Sequence, residues 1–241
     1  QPIGITTDGT NLYVVDGANH LIRKIVISTR VVTKVAGTGS SGSADGTGTL
    51  ASFNNPVGIT TDGTNLYVAD TDNHIIRKIV IATGVVTTFA GKGSAGYYNS
   101  TGTNASFNTP RGITTDGTNL YVADAVNYRI RKIVISTGLV STVAGTGSSG
   151  SSNGAGASAS FNEPSGITTD GTNLYVGDGE NHLIRQIVIS TGVVSTVAGT
   201  GSSGSVDGTG TGASFSRPYA VTTDGTDLYV SEFTNHLIRK I

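Results

Sequence analysis

Along the chain, β-branched and other apolar residues come in short runs with a period near two, separated by Asp-Gly, Asn and Ser-Thr-Gly turn text. The whole pattern returns every 54 residues: the string Asn19-His20-Leu21-Ile22-Arg23-Lys24-Ile25 recurs from 73, 127, 181 and 235 with no insertion or deletion between copies. Such a period makes the chain an array of one unit and a single domain over residues 1–241. The repeats run 2–55, 56–109, 110–163, 164–217 and 218–241, the last incomplete.

Each unit opens on a proline (Pro2, Pro56, Pro110, Pro164, Pro218), which suits the start of a strand and pushes the residue before it toward extended geometry. In the first unit the pattern predicts strands over 3–7, 12–16, 20–27 and 31–36. Asp8-Gly9 supplies the positive φ of a tight hairpin between the first two. Asp16-Gly17-Ala18-Asn19 reads as a second turn whose Asp bonds backbone amides two residues on, and Ser28-Thr29-Arg30 as the third. Both faces of the third strand, Leu21, Arg23, Ile25, Ile27 and Ile22, Lys24, Val26, are largely apolar, so neighbouring sheets should cover both. The long connection 37–55 begins as Gly, Ser and Thr, the composition of a flexible surface loop. It ends in Leu50-Ala51-Ser52-Phe53-Asn54, predicted as a short helical turn whose Phe53 (then Phe107, Phe161, Phe215) docks into the core.

A four-stranded antiparallel sheet cannot bury two apolar faces alone, so copies must stack, and a twisted stack closes radially. The predicted fold is therefore an all-β β-propeller of four-stranded blades. A β-solenoid fits less well, because the Asp-Gly hairpins demand antiparallel pairing. The fifth unit stops within its third strand and lacks the outer one. Either the ring has five blades with one unfinished, or a further segment or partner chain completes it, as in a six-bladed ring.

The text Pro-x-Gly-Ile-Thr-Thr-Asp-Gly-Thr-Asn-Leu-Tyr-Val-x-Asp-x-x-Asn-His-x-Ile-Arg-Lys-Ile resembles the NHL repeat, named for its Asn-His-Leu core. Ala51-Ser52-Phe53-Asn54-Asn55-Pro56 is similar to the inter-blade segment of bacterial members. The resemblance covers nearly the whole chain and implies a propeller, most often six-bladed, that works as a binding platform. A minority of relatives are lyases with metal on the central axis, and some animal members bind RNA.

Composition narrows these options. Fifteen basic against sixteen acidic residues leave no basic field for a nucleic-acid backbone. Charged residues are only 13% while Gly reaches 35, so the surface is polar without being charged, and a secreted, periplasmic or cell-surface bacterial protein is expected. There is no Cys or Met. No apolar run is long enough to span a membrane. Gln1 is not a start residue and lies inside a repeat, so a fragment or mature product is expected, from which any leader is missing.

Several motifs invite chemical readings that repetition argues against. Gly37-Thr38-Gly39-Ser40-Ser41-Gly42 and its copies carry the dinucleotide spacing without the helix such a site needs. His20, His74, His182 and His236 occupy one repeat position, each expected to make a hydrogen bond across its turn, and Tyr128 stands there in the third unit. Asp45-Gly46-Thr47-Gly48 and Asp207-Gly208-Thr209-Gly210 have one carboxylate each and read as solvated turns, not calcium loops. Asn99-Ser100-Thr101 and Asn104-Ala105-Ser106 match the glycosylation sequon at a rate chance explains. No catalytic residue, metal ligand or cofactor is predicted.

What differs among repeats lies on the face that carries the fourth-to-first and second-to-third connections. The candidate ligand-binding residues there are Arg111, Glu163, Arg217, Tyr219, Phe233 and Glu232, a mixed charged and aromatic set. The expected function is a non-enzymatic scaffold recognising a protein or glycan through that face. The alternative is a metal-dependent lyase or lactonase-like enzyme with its site on the axis.

Overall fold

The computed structural model describes residues 1–241 as five antiparallel sheets of four, five, four, five and three strands, in which the blade strands pair with their sequence neighbours and the two five-stranded sheets gain a short strand from the preceding connection. Blade 1 comprises Pro2–Thr7, Asn11–Asp16, Leu21–Val26 and Val32–Ala36. Blade 5 has Pro218–Thr223, Leu228–Glu232 and Leu237–Lys240, with no fourth strand. The all-β propeller and its three-stranded last blade are thus as the pattern predicts.

The hairpins form for a local reason. Asp8 Oδ1 accepts the amides of Thr10 and Asn11 at 2.9 and 2.7 Å, and Oδ2 accepts the Tyr13 hydroxyl at 2.9 Å. One carboxylate therefore closes the turn and ties it to a tyrosine whose ring is core. Gly9, at φ 86°, supplies the left-handed step.

Packing between blades builds the core. Tyr13, Val15, Ile22 and Ala36 of blade 1 meet Ile59, Leu66, Val68, Ile79 and Val86 of blade 2, and Ala51 and Phe53 of the connection fill the space between them. The same residues one repeat on form the next two junctions, and a smaller cluster joins blades 4 and 5. Phe53, Phe107 and Phe161 are fully buried, so each removes some 150–250 Å² from water, roughly, and pins its connection. The helical turn is a 3-10 turn at Gly48–Leu50, preceding the phenylalanine by three residues. No cluster joins blade 5 to blade 1: Ile5 is 61% exposed where Ile59 is 6%, and Ile238 is 73% exposed where Ile22 is 0%.

The connections are more ordered than their Gly/Ser/Thr text predicts. Gly46–Thr47 pairs with Val85–Ala90, the outer strand of blade 2, and Gly154–Ala155 does the same to Val193–Ala198 in blade 4. Each connection thus reaches across a junction to the edge of the next blade, which covers an otherwise free strand edge.

Two local expectations need correction. The second-to-third connection is a 3-10 turn ending in a left-handed residue, His20 at φ 55°. Its Asp does not bond amides of that turn. The residues before proline, Asn55, Thr109, Glu163 and Arg217, are not extended but left-handed, at φ 49–56°. Three of them are held there by a histidine of the preceding blade: His20, His74 and His182 accept the amides of Asn55, Thr109 and Arg217 on Nδ1 at 3.1, 3.0 and 3.2 Å. The histidine bond therefore crosses between blades, not across its own turn.

Candidate functional site

The face that carries the divergent residues is held in blades 2 to 4 by one fully buried clasp each. In blade 2, Asp70 accepts the Asn54 amide at 2.7 Å, the Asn73 side chain at 2.8 Å and Arg77 at 3.1 Å. Arg77, fully buried, also donates to the carbonyls of Ser52 and Ala44 and to Asp45, and lies 5.2 Å over Phe53. A guanidinium carries its five donors in a fixed fork, so one side chain can fix the end of a 19-residue connection to the turn beside it. Blades 3 and 4 repeat the clasp with Asp124–Arg131 and Asp178–Arg185. The Nε of Arg77, Arg131 and Arg185 has no partner. Burial pushes Asp124 up, and Asp70 and Asp178 up to about 6, against the pull of the arginine and the bonded amides.

This clasp takes one sequence candidate off the surface. Glu232, expected as a ligand contact, is 3% exposed and takes the aspartate's place in blade 5, accepting from the Ser216 amide, Asn235 and Arg239. Asp45 and Asp207, 52% and 95% exposed, stay in solvent as turn residues while each also pairs with a clasp arginine, Arg77 or Arg239. Asn99 of the first sequon accepts Arg131 at 2.7 Å.

The remaining candidates surround the mouth of a central channel. The first strands, joined on the blade 5 side by Tyr229, Val230, Ser231 and Ile238, wall a channel of about 440 Å³, and on the divergent face a depression of about 300 Å³ lies over it. Val57, Arg111 and Tyr219 line both, so they form the neck between them. The walls meet so closely that a Cβ on Gly58 or Gly112 would strike the carbonyl oxygen of Arg111 or Ser165 in the next blade.

At the mouth Arg111 pairs with Glu163 at 3.0 Å, and Arg217 pairs with Glu180 while standing 5.8 Å from the Phe233 ring centroid. Phe233, 56% exposed, packs against Tyr219 at 5.7 Å between ring centroids. Burial raises the Tyr219 hydroxyl above its ordinary pKa, and the charges of Arg111 and Arg217 draw it the other way. Asp72 and Val57 complete the rim. Neither stands out chemically in the sequence alone.

The channel lining holds no histidine or carboxylate, and no three His, Asp or Glu side chains in the protein converge as metal ligands would. The four histidines stand one per blade, three of them spent on the cross-blade amides. No helix is long and apolar enough to cross a membrane.

No protein-family model matches the chain. It is 28% identical over 278 residues to NHL repeat-containing protein 2 of Gallus gallus, covering 100% of this chain and 38% of that protein. It is 33% identical over 259 residues to the chloroplastic protein SUPPRESSOR OF QUENCHING 1 of Arabidopsis thaliana, covering 99% of this chain and 24% of that one. The chain thus spans well under half the length of these relatives. Among solved structures, an auxiliary nutrient binding protein from Bacteroides ovatus superposes with a TM-score of 0.66 at 19% identity, over 97% of this chain and 66% of its own. Taken with the 54-residue blade text and the blade geometry, these relatives make the chain an NHL-repeat β-propeller.

Proposed function

We propose that this propeller is a non-enzymatic binding module of a secreted or cell-surface protein, recognising a protein or glycan at the mouth of its channel. One observation carries the reading. Residues that differ between otherwise near-identical repeats, Arg111 of blade 3, Arg217 at the junction before blade 5, and Tyr219 and Phe233 of blade 5, converge on one depression. Drift at loop tips would scatter them. The set also has the composition of a recognition surface, a tilted aromatic pair flanked by two arginines whose ion pairs hold them in place. A fold neighbour that binds nutrients supports a binding role for the scaffold.

The experiment is affinity capture from extracellular extract, with the wild type beside the triple variant R111A/R217A/Y219A. Loss of the captured ligand with an unchanged melting temperature is the expected result. Undiminished capture by a folded variant would place the site elsewhere.

A further inference from the structure

The Thr-Thr doublet that ends every first strand divides its two hydroxyls between separate tasks. The second threonine of each pair, such as Thr61 or Thr115, donates to the carbonyl four residues on and closes the hairpin. The first, at Thr6, Thr60, Thr114, Thr168 and Thr222, lines the channel, and none of these hydroxyls bonds to another protein group. Each blade thus contributes one free hydroxyl to a collar inside the channel. It sits three residues beyond the neck formed by Arg111 and Tyr219, about 10 Å deeper at the rise of a strand.

A hydroxyl both donates and accepts, so the collar can complement groups that do the same. It cannot complement charge. The only charged residue in the lining is Arg111, at the neck and already paired with Glu163 at 3.0 Å. An ion drawn to the collar would shed water and meet no opposite charge, which costs far more than neutral hydroxyls return. Between collar and mouth the wall is isoleucine and glycine in blades 1 to 4 and Ala220 and Val221 in blade 5, with Tyr229, Val230, Ser231 and Ile238 lining the blade 5 side and Tyr219 at the top. Apolar surface alternating with neutral donor-acceptor groups is the chemistry of a sugar ring, with its C–H faces and hydroxyl edge. The volume, about 440 Å³, falls within the range of small-ligand sites.

We propose that the threonine collar is the inner subsite for a neutral saccharide whose end enters the channel past Arg111 and Tyr219. This rests on the mouth being the binding face, and it narrows the ligand to an uncharged glycan held by hydroxyl-to-hydroxyl bonds. The test is a glycan array carrying neutral and acidic glycans, followed by calorimetric titration of the strongest neutral binder. The variant T60V/T114V/T168V removes three hydroxyls at nearly constant shape and is expected to bind at least ten-fold more weakly. T60S/T114S/T168S keeps the hydroxyls and should restore binding, which separates the hydroxyl effect from a folding defect. No neutral glycan bound on the array, tighter binding of acidic analogues, or unchanged affinity in the valine variant would each overturn the proposal. Affinity lost in R111A/R217A/Y219A but kept in the valine variant would remove the collar and leave the mouth reading standing. The reverse pattern, with affinity kept in R111A/R217A/Y219A, would overturn the mouth reading on which the proposal rests.

Discussion

Asp124→Asn tests whether the buried clasp, and not the repeat text in general, holds the binding face together. The substitution keeps the shape and the acceptor for the Asn108 amide, now at 2.7 Å, but turns a donor toward Asn127 and Arg131 and removes the charge. Arg131 is fully buried and cannot shed its proton, so it is left with two carbonyls and the Asn99 amide oxygen. Breaking a buried pair from one side costs about 3–5 kcal/mol. The neighbouring blade supplies the control. Arg77 retains a second carboxylate, Asp45 at 2.9 Å, after Asp70→Asn, but that carboxylate is 52% exposed. A screened partner of that kind returns up to about 1 kcal/mol. The expected order is therefore Asp124→Asn more destabilising than Asp70→Asn, and the pair D124L/R131M less destabilising than D124N, since no buried charge remains. Thermal melting followed by circular dichroism reads this as a drop of about 6–20 °C for D124N at roughly 2–4 °C per kcal/mol. A drop below about 2 °C, or equal drops for the two aspartates, would refute the reasoning.

Three further outcomes follow from the same geometry. Gly112→Ala drives a methyl into the Ser165 carbonyl of the next blade, whereas Ala220, at the equivalent place on the exposed flank of blade 5, accepts Ala220→Gly at a cost of up to about 1 kcal/mol; denaturant midpoints should separate the two clearly. Phe161→Ala empties a fully buried junction site and should cost about 3–5 kcal/mol, with faster hydrogen exchange in the connection preceding it. Acid titration tests the hairpin carboxylates: amide, asparagine and tyrosine bonds depress Asp8, Asp62 and Asp116, and bring Asp170 to about 2. A depressed folded pKa gives stability that is present above the unfolded value near 3.8 and lost as pH falls toward 2, so melting temperatures should decline below pH 4. The clasp aspartates titrate in the opposite sense, gaining a proton near pH 6 in the folded state, so a decline already between pH 7 and 5 would contradict this assignment.

The sequence by itself determined the blade. Period, strand order, hairpin chemistry and the docking phenylalanine were legible because each blade is hydrogen-bonded between sequence neighbours, and Asp8 completes its turn within five residues. It also pointed to the mouth, since Arg111, Arg217, Tyr219 and Phe233 break a pattern that is otherwise constant. What the tertiary structure decided are contacts spanning one blade to the next. Gly112 is needed because of Ser165, and His74 because of Thr109. Arg131 is buried because Ser106 and Tyr98 fold back over it. Glu232 read as a surface residue because its departure from aspartate was visible, whereas the arginine that claims it was not. The threonine collar was hidden for the opposite reason: identical in every repeat, it carries no signal until the blades are arranged around an axis. Local pairing is written in a period of two, but the rotation between stacked sheets is set by packing, and that rotation places five separate threonines around one channel.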